Sequence, residues 1–174
     1  TRHFFGLEPA CRQSNSRGTF KWVISKGIDT SGNVMVASHT QDAGEVYLSA
    51  IDYNGNEPQN FPATHRVEFT LEDRPDRSFA YLTGSRVDLN KRLKEIQVKV
   101  KDDTGVYQLA RKYLLAYEPS PSTFRSRLLS VTEYGKDGVT ALPPVNFSYQ
   151  NNPHEFESMT DMGPIERLYP PSSY

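Results

Sequence analysis

The sequence has a single cysteine, Cys11, in 174 residues. A lone thiol cannot form an internal disulfide, so no disulfide framework holds this fold together. Long hydrophobic runs are missing as well, and no stretch approaches the about 20 apolar residues that a membrane-spanning helix needs. Basic and acidic residues nearly balance, for a net charge of −1. This balance argues against a nucleic-acid-binding or membrane-surface protein, which normally carries a basic excess.

Hydrophobic residues make up only 36% of the chain, but ten tyrosines and nine phenylalanines supply much apolar area. Aromatic-rich chains favour sheets over helical bundles. Alternation with a period of two is the dominant pattern, as where Val67, Phe69 and Leu71 alternate with polar residues. About eight such segments of ordinary strand length occur. We therefore predict an all-β domain, a mostly antiparallel, hairpin-connected sheet or sandwich.

The inward-facing side chains of these segments form the predicted core. Its members are Trp22, Ile51, Phe69, Ile96, Val98, Tyr113, Leu115, Val131, Phe147 and Tyr149. The segment 88–96 is ambiguous, because three of its apolar residues also have helical spacing behind a possible Asp88 cap. We favour the strand there.

Segments rich in glycine, asparagine and aspartate predict the turns of the hairpins. They are 29–33, 54–56, 102–105 and 136–138. The stretches IDTSGN and IDYNGN resemble each other, either as successive hairpins of a repeat or as two copies of a favoured turn sequence.

The pattern divides the chain into three parts. We predict an irregular N-terminal segment over 1–19, a β domain over 20–150 and an extended, proline-containing tail over 151–174. Because Thr1 is not a start residue and both ends lack alternation, we expect the sequence to be a piece of a longer chain.

One candidate interaction loop contains Arg74, Asp76, Arg77 and Tyr81. The two arginines could clamp an anion through bidentate hydrogen bonds. The favoured alternative is that Asp76 and the arginines satisfy loop backbone groups and each other. Tyr81, like Tyr53, could stack on a sugar ring, although tyrosines in sheets more often pack against a neighbouring strand.

Patterns of catalytic or metal-binding residues are not found. The four histidines are scattered and lack a nearby cysteine, and the loop 29–33 lacks the acidic spacing of a calcium site. Nucleophile elbows, phosphate-binding loops and meaningfully spaced carboxylate pairs are missing too. We therefore expect no enzymatic activity, no cofactor and no metal. We also expect ordinary titration of the acidic residues, most of which fall in turns or on outward positions.

Several stretches carry a family resemblance when they are taken in order. They are WVISKGIDTSGNVM, YLSAIDYNGN, RPDRSFAYLTGSRVDLNKRLKEIQV, RKYLLAYEPSPSTFRSRLLSVTEYGKDG and LPPVNFSYQ. Together they resemble the SpvB-like N-terminal region of bacterial insecticidal toxin-complex (Tc) B components and of related RHS-type toxin proteins. The resemblance covers roughly residues 20–150.

The resemblance implies a β-rich, non-catalytic shell or scaffold segment of a larger secreted toxin protein. Its partners would be neighbouring domains of the parent chain and other toxin-complex subunits, without nucleic acid and without membrane insertion by this segment. The propeller, the RHS array and the ADP-ribosyltransferase domain of such proteins have no counterpart here, so those activities are not transferred. The alternative function is a carbohydrate- or protein-binding β-sandwich module that uses exposed aromatic side chains.

Overall fold

The computed structural model describes residues 1–81 and 83–150, which form eleven strands and one short 3-10 helix. The 3-10 helix is Pro9–Cys11. The strands are β1 Arg2–Phe5, β2 Arg12–Asn15, β3 Gly18–Trp22, β4 Ile24–Ile28, β5 Asn33–Asp42, β6 Glu45–Asn56, β7 His65–Ala80, β8 Val87–Lys101, β9 Tyr107–Pro119, β10 Ser126–Tyr134 and β11 Val145–Asn146. The all-β prediction is confirmed.

Nine strands form one antiparallel sheet in the order β1-β4-β5-β6-β7-β8-β9-β10-β11. From β4 onward each strand pairs with the next one in the chain, so the sheet is a series of hairpins. Strands β2 and β3 form a separate two-stranded sheet. The described residues therefore form one wide sheet with a small hairpin, not two stacked sheets of similar size.

Three of the four predicted turns are found in the structure. In 29–33 the Asp29 carboxylate accepts hydrogen bonds from the backbone N–H groups of Ser31 and Asn33, and Gly32 adopts a φ of 83°. The turns at 102–105 and 136–138 also lie between strands. The prediction at 54–56 is wrong, because β6 continues through Asn56 and the chain turns at 57–60.

The strand prediction for 88–96 is confirmed, since this segment lies inside β8. The N-terminal prediction is wrong, because residues 1–19 contain β1, the 3-10 helix, β2 and the start of β3. Alternation at Phe20, Trp22 and Ile24 also predicts a single strand, and this prediction is wrong, because β3 ends at Trp22 and β4 begins at Ile24. The chain passes there from the small sheet to the large one. The predicted tail over 151–174 lies outside the described residues.

The large sheet has one apolar and one charged face in its central strands. Directly opposite residues share a face, and Ile51 pairs with Val67, which pairs with Val98. Phe69 pairs with Ile96 on the same face, one step along the strands. The other face carries ion pairs between strands, described below. The alternation predicted for 66–72 is therefore confirmed.

Burial differs from the prediction. Among the described residues no large side chain is fully buried, and the buried hydrophobic residues are Cys11, Ile28 and Ala37. The predicted core residues on β6 to β10 are only half-buried.

Three predicted core residues are exposed, namely Trp22 at 53%, Phe147 at 39% and Tyr149 at 42%. Trp22 ends the small β3 strand, and the other two follow the short β11 at the sheet edge, where no further described strand covers them.

Candidate functional site

The predicted interaction loop is not a loop in the structure. Arg74, Asp76 and Arg77 lie within β7, where its pairing with β8 is interrupted between Asp73 and Ser78. Because Pro75 has no N–H to donate to a ladder, an interruption at this point is expected.

Asp76 is the centre of this site. Its carboxylate accepts two hydrogen bonds from the Arg74 guanidinium, at 3.2 and 2.9 Å. It also accepts the Ser126 backbone N–H at 2.9 Å and the Ser126 hydroxyl at 2.5 Å. The Asp76 side chain is only 7% exposed. The pairing of Asp76 with a neighbouring arginine agrees with the favoured sequence alternative, and Ser126 is a partner that no local pattern indicates.

Asp76 does not titrate as expected from the sequence. Burial alone would raise its pKa, but the hydrogen bonds from Arg74 and Ser126 stabilise the ionised form and hold the pKa well below its usual range. The expectation of ordinary titration is therefore wrong here. It is also wrong in two turns, where the pKa values of Asp102 and Asp137 are lowered to about 2, mainly by side-chain hydrogen bonds from Thr104 and Thr140 respectively.

A half-open pocket of about 590 Å³ adjoins Asp76, and we call it the arginine pocket. Its walls come from the interruption in β7, from β9, and from the connection 120–125. The charged residues that line it are Asp76, Arg77, Arg92, Glu118 and Arg125.

Arg92 is already engaged within the pocket. It donates to Glu72 and to the Ser126 hydroxyl, at 2.7 Å in both cases, and lies 4.4 Å from the centre of the Tyr117 ring.

Tyr81 lies outside the arginine pocket. It packs edge-on against Phe79, with ring centres 5.8 Å apart, and Arg86 covers the Phe79 ring at 4.5 Å. Tyr81 and Phe79 are 60% and 59% exposed. Tyr53, the other tyrosine considered for sugar stacking, packs against the cross-strand His65 at 5.2 Å. The structure therefore separates the four candidate residues into Arg74, Asp76 and Arg77 on one side and Tyr81 on the other.

The charged face of the sheet is tied together by ion pairs between strands. Arg66 donates to both carboxylate oxygens of Asp52, at 2.7 and 2.9 Å, and the Tyr107 hydroxyl donates to the same carboxylate at 2.9 Å. Burial raises the pKa of Asp52, but these hydrogen bonds outweigh it and lower the pKa overall. Lys99 pairs with Glu68 at 2.5 Å. These groups partner one another across four strands, β6 to β9, which suits a structural role.

The pair of Cys11 and His39 was not predicted from the sequence either. Cys11 is buried at 2% exposure, and its Sγ lies 3.4 Å from Nδ1 of His39, 28 residues away. Burial lowers the pKa of His39. Within residues 1–81 and 83–150 no three histidine, cysteine, aspartate or glutamate side chains are grouped closely enough to hold a metal ion. In the same residues, no helix has the length and apolar character for a membrane span.

Comparison by sequence finds no matching family profile and no matching curated protein. Comparison by structure finds clear similarity. The N-terminal domain of the effector protein SpvB from Salmonella typhimurium strain LT2 superposes with a TM-score of 0.67 at 14% identity, over 76% of this chain and 57% of that domain. A Tc holotoxin pore structure from Photorhabdus luminescens gives a TM-score of 0.68 at 17% identity. The crystal structure of TcdB2-TccC3 gives 0.65 at 15%.

The similarity to the Tc toxin structures covers 85% of this chain but 10% of each toxin chain. This chain thus spans a little over half of the SpvB domain and a small part of the toxin chains. At these identities the similarity is one of fold. The described residues have a fold similar to that of the SpvB N-terminal domain and of the matching part of the Tc toxin chains, as the sequence resemblance predicted.

Proposed function

We propose that this chain is a non-catalytic shell or scaffold segment of a larger secreted toxin-complex or RHS-type protein. The observation that carries the proposal is the apolar face of the sheet. Val67, Phe69, Ile96 and Val98 line it, yet all four are only half-buried. An independent domain buries such a face against a second layer. In a segment of a shell wall, neighbouring domains cover the apolar face instead.

The comparisons support this proposal without testing it. The region with this fold makes up 10% of the Tc toxin chains, so in those proteins it has neighbouring domains. By analogy, the partners of the present chain are neighbouring domains of its parent chain and other toxin-complex subunits. Export with the parent protein follows from the same analogy, and we assign no catalytic step or cofactor to the segment.

Thiol labelling tests whether neighbouring domains cover the apolar face. In a Cys11→Ser background, a cysteine is introduced by Val98→Cys on the apolar face or, as the matched control, by Gln97→Cys on the charged face. We expect Val98→Cys to react readily in the isolated chain and much more slowly in the parent protein. Equal labelling of Val98→Cys in both would contradict the proposal.

A second candidate function is binding through exposed aromatic side chains. Phe79 and Tyr81 favour it, because the two rings are more than half exposed and pack beside Arg86. Exposed aromatic rings are suited to stacking on sugars or on a protein partner. Reproducible hits on a glycan array that disappear in Tyr81→Ala would support this function. An array without hits would leave the scaffold role as the remaining candidate.

A further inference from the structure

The arginine pocket is lined by more basic than acidic side chains, three arginines against two carboxylates. Both carboxylates are already paired with arginines from outside the lining. Asp76 pairs with Arg74 at 2.9 Å, and Glu118 pairs with Arg127 at 2.7 Å. The lining carboxylates are thus occupied, and the positive charge of the lining is in surplus.

The surplus falls on Arg77 and Arg125, because Arg92 is already engaged. Arg77 reaches Asp73 only at 3.8 Å, with both side chains 61% exposed, and Asp73 already accepts from Lys91 at 2.6 Å. Within residues 1–81 and 83–150 the Arg125 guanidinium makes no hydrogen bond and no ion pair. Two guanidinium groups of one pocket are therefore available to an anionic ligand.

The connection 120–125 does not form a phosphate cradle. Phosphate sites are commonly built from converging backbone N–H groups. Here the N–H groups of residues 123–126 all donate to partners within the protein. Pro75 and Pro119, which also line the pocket, have no N–H to offer. Cationic side chains, rather than this stretch of backbone, would therefore hold the ligand.

An aromatic ring stands at the rim of the pocket. Phe124 is 74% exposed, and its backbone φ of 56° is a left-handed conformation that bulky residues rarely adopt. Such strain persists where the surrounding structure enforces it, often at functional sites. Aromatic side chains and arginines contribute much of the binding energy at protein interfaces. This combination suits a polypeptide with both carboxylates and an apolar side chain, whereas a compact inorganic anion would leave the ring uncovered.

We propose that the arginine pocket binds an acidic segment of a partner polypeptide. Carboxylates of the segment pair with Arg77 and Arg125, and an apolar side chain between them covers the ring of Phe124. The pocket volume of about 590 Å³ is ordinary for a ligand site. The pocket shares no residue with the apolar face that carries the scaffold proposal, so the two proposals can fail separately.

Fluorescence anisotropy with the full 174-residue chain tests this binding. The probe is a fluorescein-labelled serine peptide with glutamate, leucine and glutamate at alternate positions, which point to the same side of an extended chain. We expect saturable binding with a Kd below about 1 mM. The double variant Arg77→Gln/Arg125→Gln should weaken binding at least about tenfold, because it removes both cationic partners. A peptide with glutamines in place of the glutamates should lose affinity to a similar degree.

The matched control is Arg2→Gln/Arg17→Gln, which makes the same charge change at two exposed arginines outside the pocket. It should leave the Kd unchanged. Phe124→Gly tests the apolar rim separately from folding. Because glycine accepts a positive φ, this variant should keep its urea midpoint while the peptide binds several-fold more weakly.

The absence of saturable peptide binding would overturn the proposal. Equal weakening in the pocket variant and in the control variant would also overturn it, since the attraction would then be unspecific. A heparin oligosaccharide is the competing polyanion. Tighter binding of heparin than of the peptide, lost in Arg77→Gln/Arg125→Gln, would assign the pocket to an acidic glycan instead.

Discussion

Asp76 joins two distant parts of the chain through four hydrogen bonds from Arg74 and Ser126. We predict that Asp76→Ala lowers the free energy of unfolding by about 2–4 kcal/mol, because it removes these bonds and leaves the largely buried Arg74 guanidinium without its anion. Urea denaturation at neutral pH measures the loss. Asp73→Ala is the control, since Asp73 is 61% exposed and should matter little. Equal losses in the two variants would contradict this account.

The sequence identifies the residues of this site but not their arrangement. Arg74 and Asp76 are two positions apart, so their pairing is within reach of local reasoning. Ser126 is 50 residues from Asp76 and begins β10, and only the successive pairing of β7 with β8, β8 with β9 and β9 with β10 brings it near. A long-range partner of this kind leaves no local signal in a single sequence.

At the scale of a single element, the wrong turn prediction at 54–56 shows the same limit of local sequence reasoning. Asn-Gly is a favoured hairpin dipeptide, which is why a turn was predicted there. In the structure Gly55 lies inside β6, and a Cβ atom at this position would come within 3.2 Å of the Phe61 carbonyl oxygen and 3.1 Å of the Ala63 nitrogen. The glycine thus permits a close backbone approach. The local pattern cannot distinguish this role from a turn.

Asp102 and Asp137, which lie in two of the three confirmed turns, predict an acid-sensitive stability. The pKa values of Asp102 and Asp137 are about 2 in the folded chain, against an ordinary value of 3.8. When the pH falls below about 4, the unfolded state takes up protons before the folded state does, so stability decreases toward about pH 2. Above this window the full contribution is present. Urea midpoints at about pH 4.5 and 2.5 should therefore differ, with the lower midpoint at the lower pH.

Removing the two carboxylates tests the cause of this acid sensitivity. In Asp102→Asn/Asp137→Asn the difference between the two urea midpoints should shrink, because the groups no longer titrate. Asp103→Asn is the control, since the Asp103 side chain has no hydrogen bond to the described residues while its neighbour Asp102 accepts three from Thr104 and Val106. An unchanged difference in the double variant would place the acid sensitivity elsewhere.

For the whole molecule, the sequence predicts the fold class and the apolar face but not the degree of burial. Alternation indicates which side chains share a face, and Val67, Phe69 and Ile96 do so. It does not indicate whether a second layer covers that face. Phe147 was therefore predicted to lie in the core and is exposed, because β11 is a two-residue strand at the sheet edge.

The loss of stability caused by Phe69→Ala shows whether other domains of the parent protein help to bury this side chain. A fully buried phenylalanine costs about 3–5 kcal/mol when it is changed to alanine. In the isolated chain the half-buried Phe69 should cost about 1–2 kcal/mol, since less apolar area leaves water on folding. In the parent protein, with the face covered, Phe69→Ala should approach the full value. Phe147→Ala is the control for the isolated chain, because Phe147 is 39% exposed there. A full-sized loss for Phe69→Ala in the isolated chain would show that this segment completes its own core, and the scaffold proposal would then lose its main support.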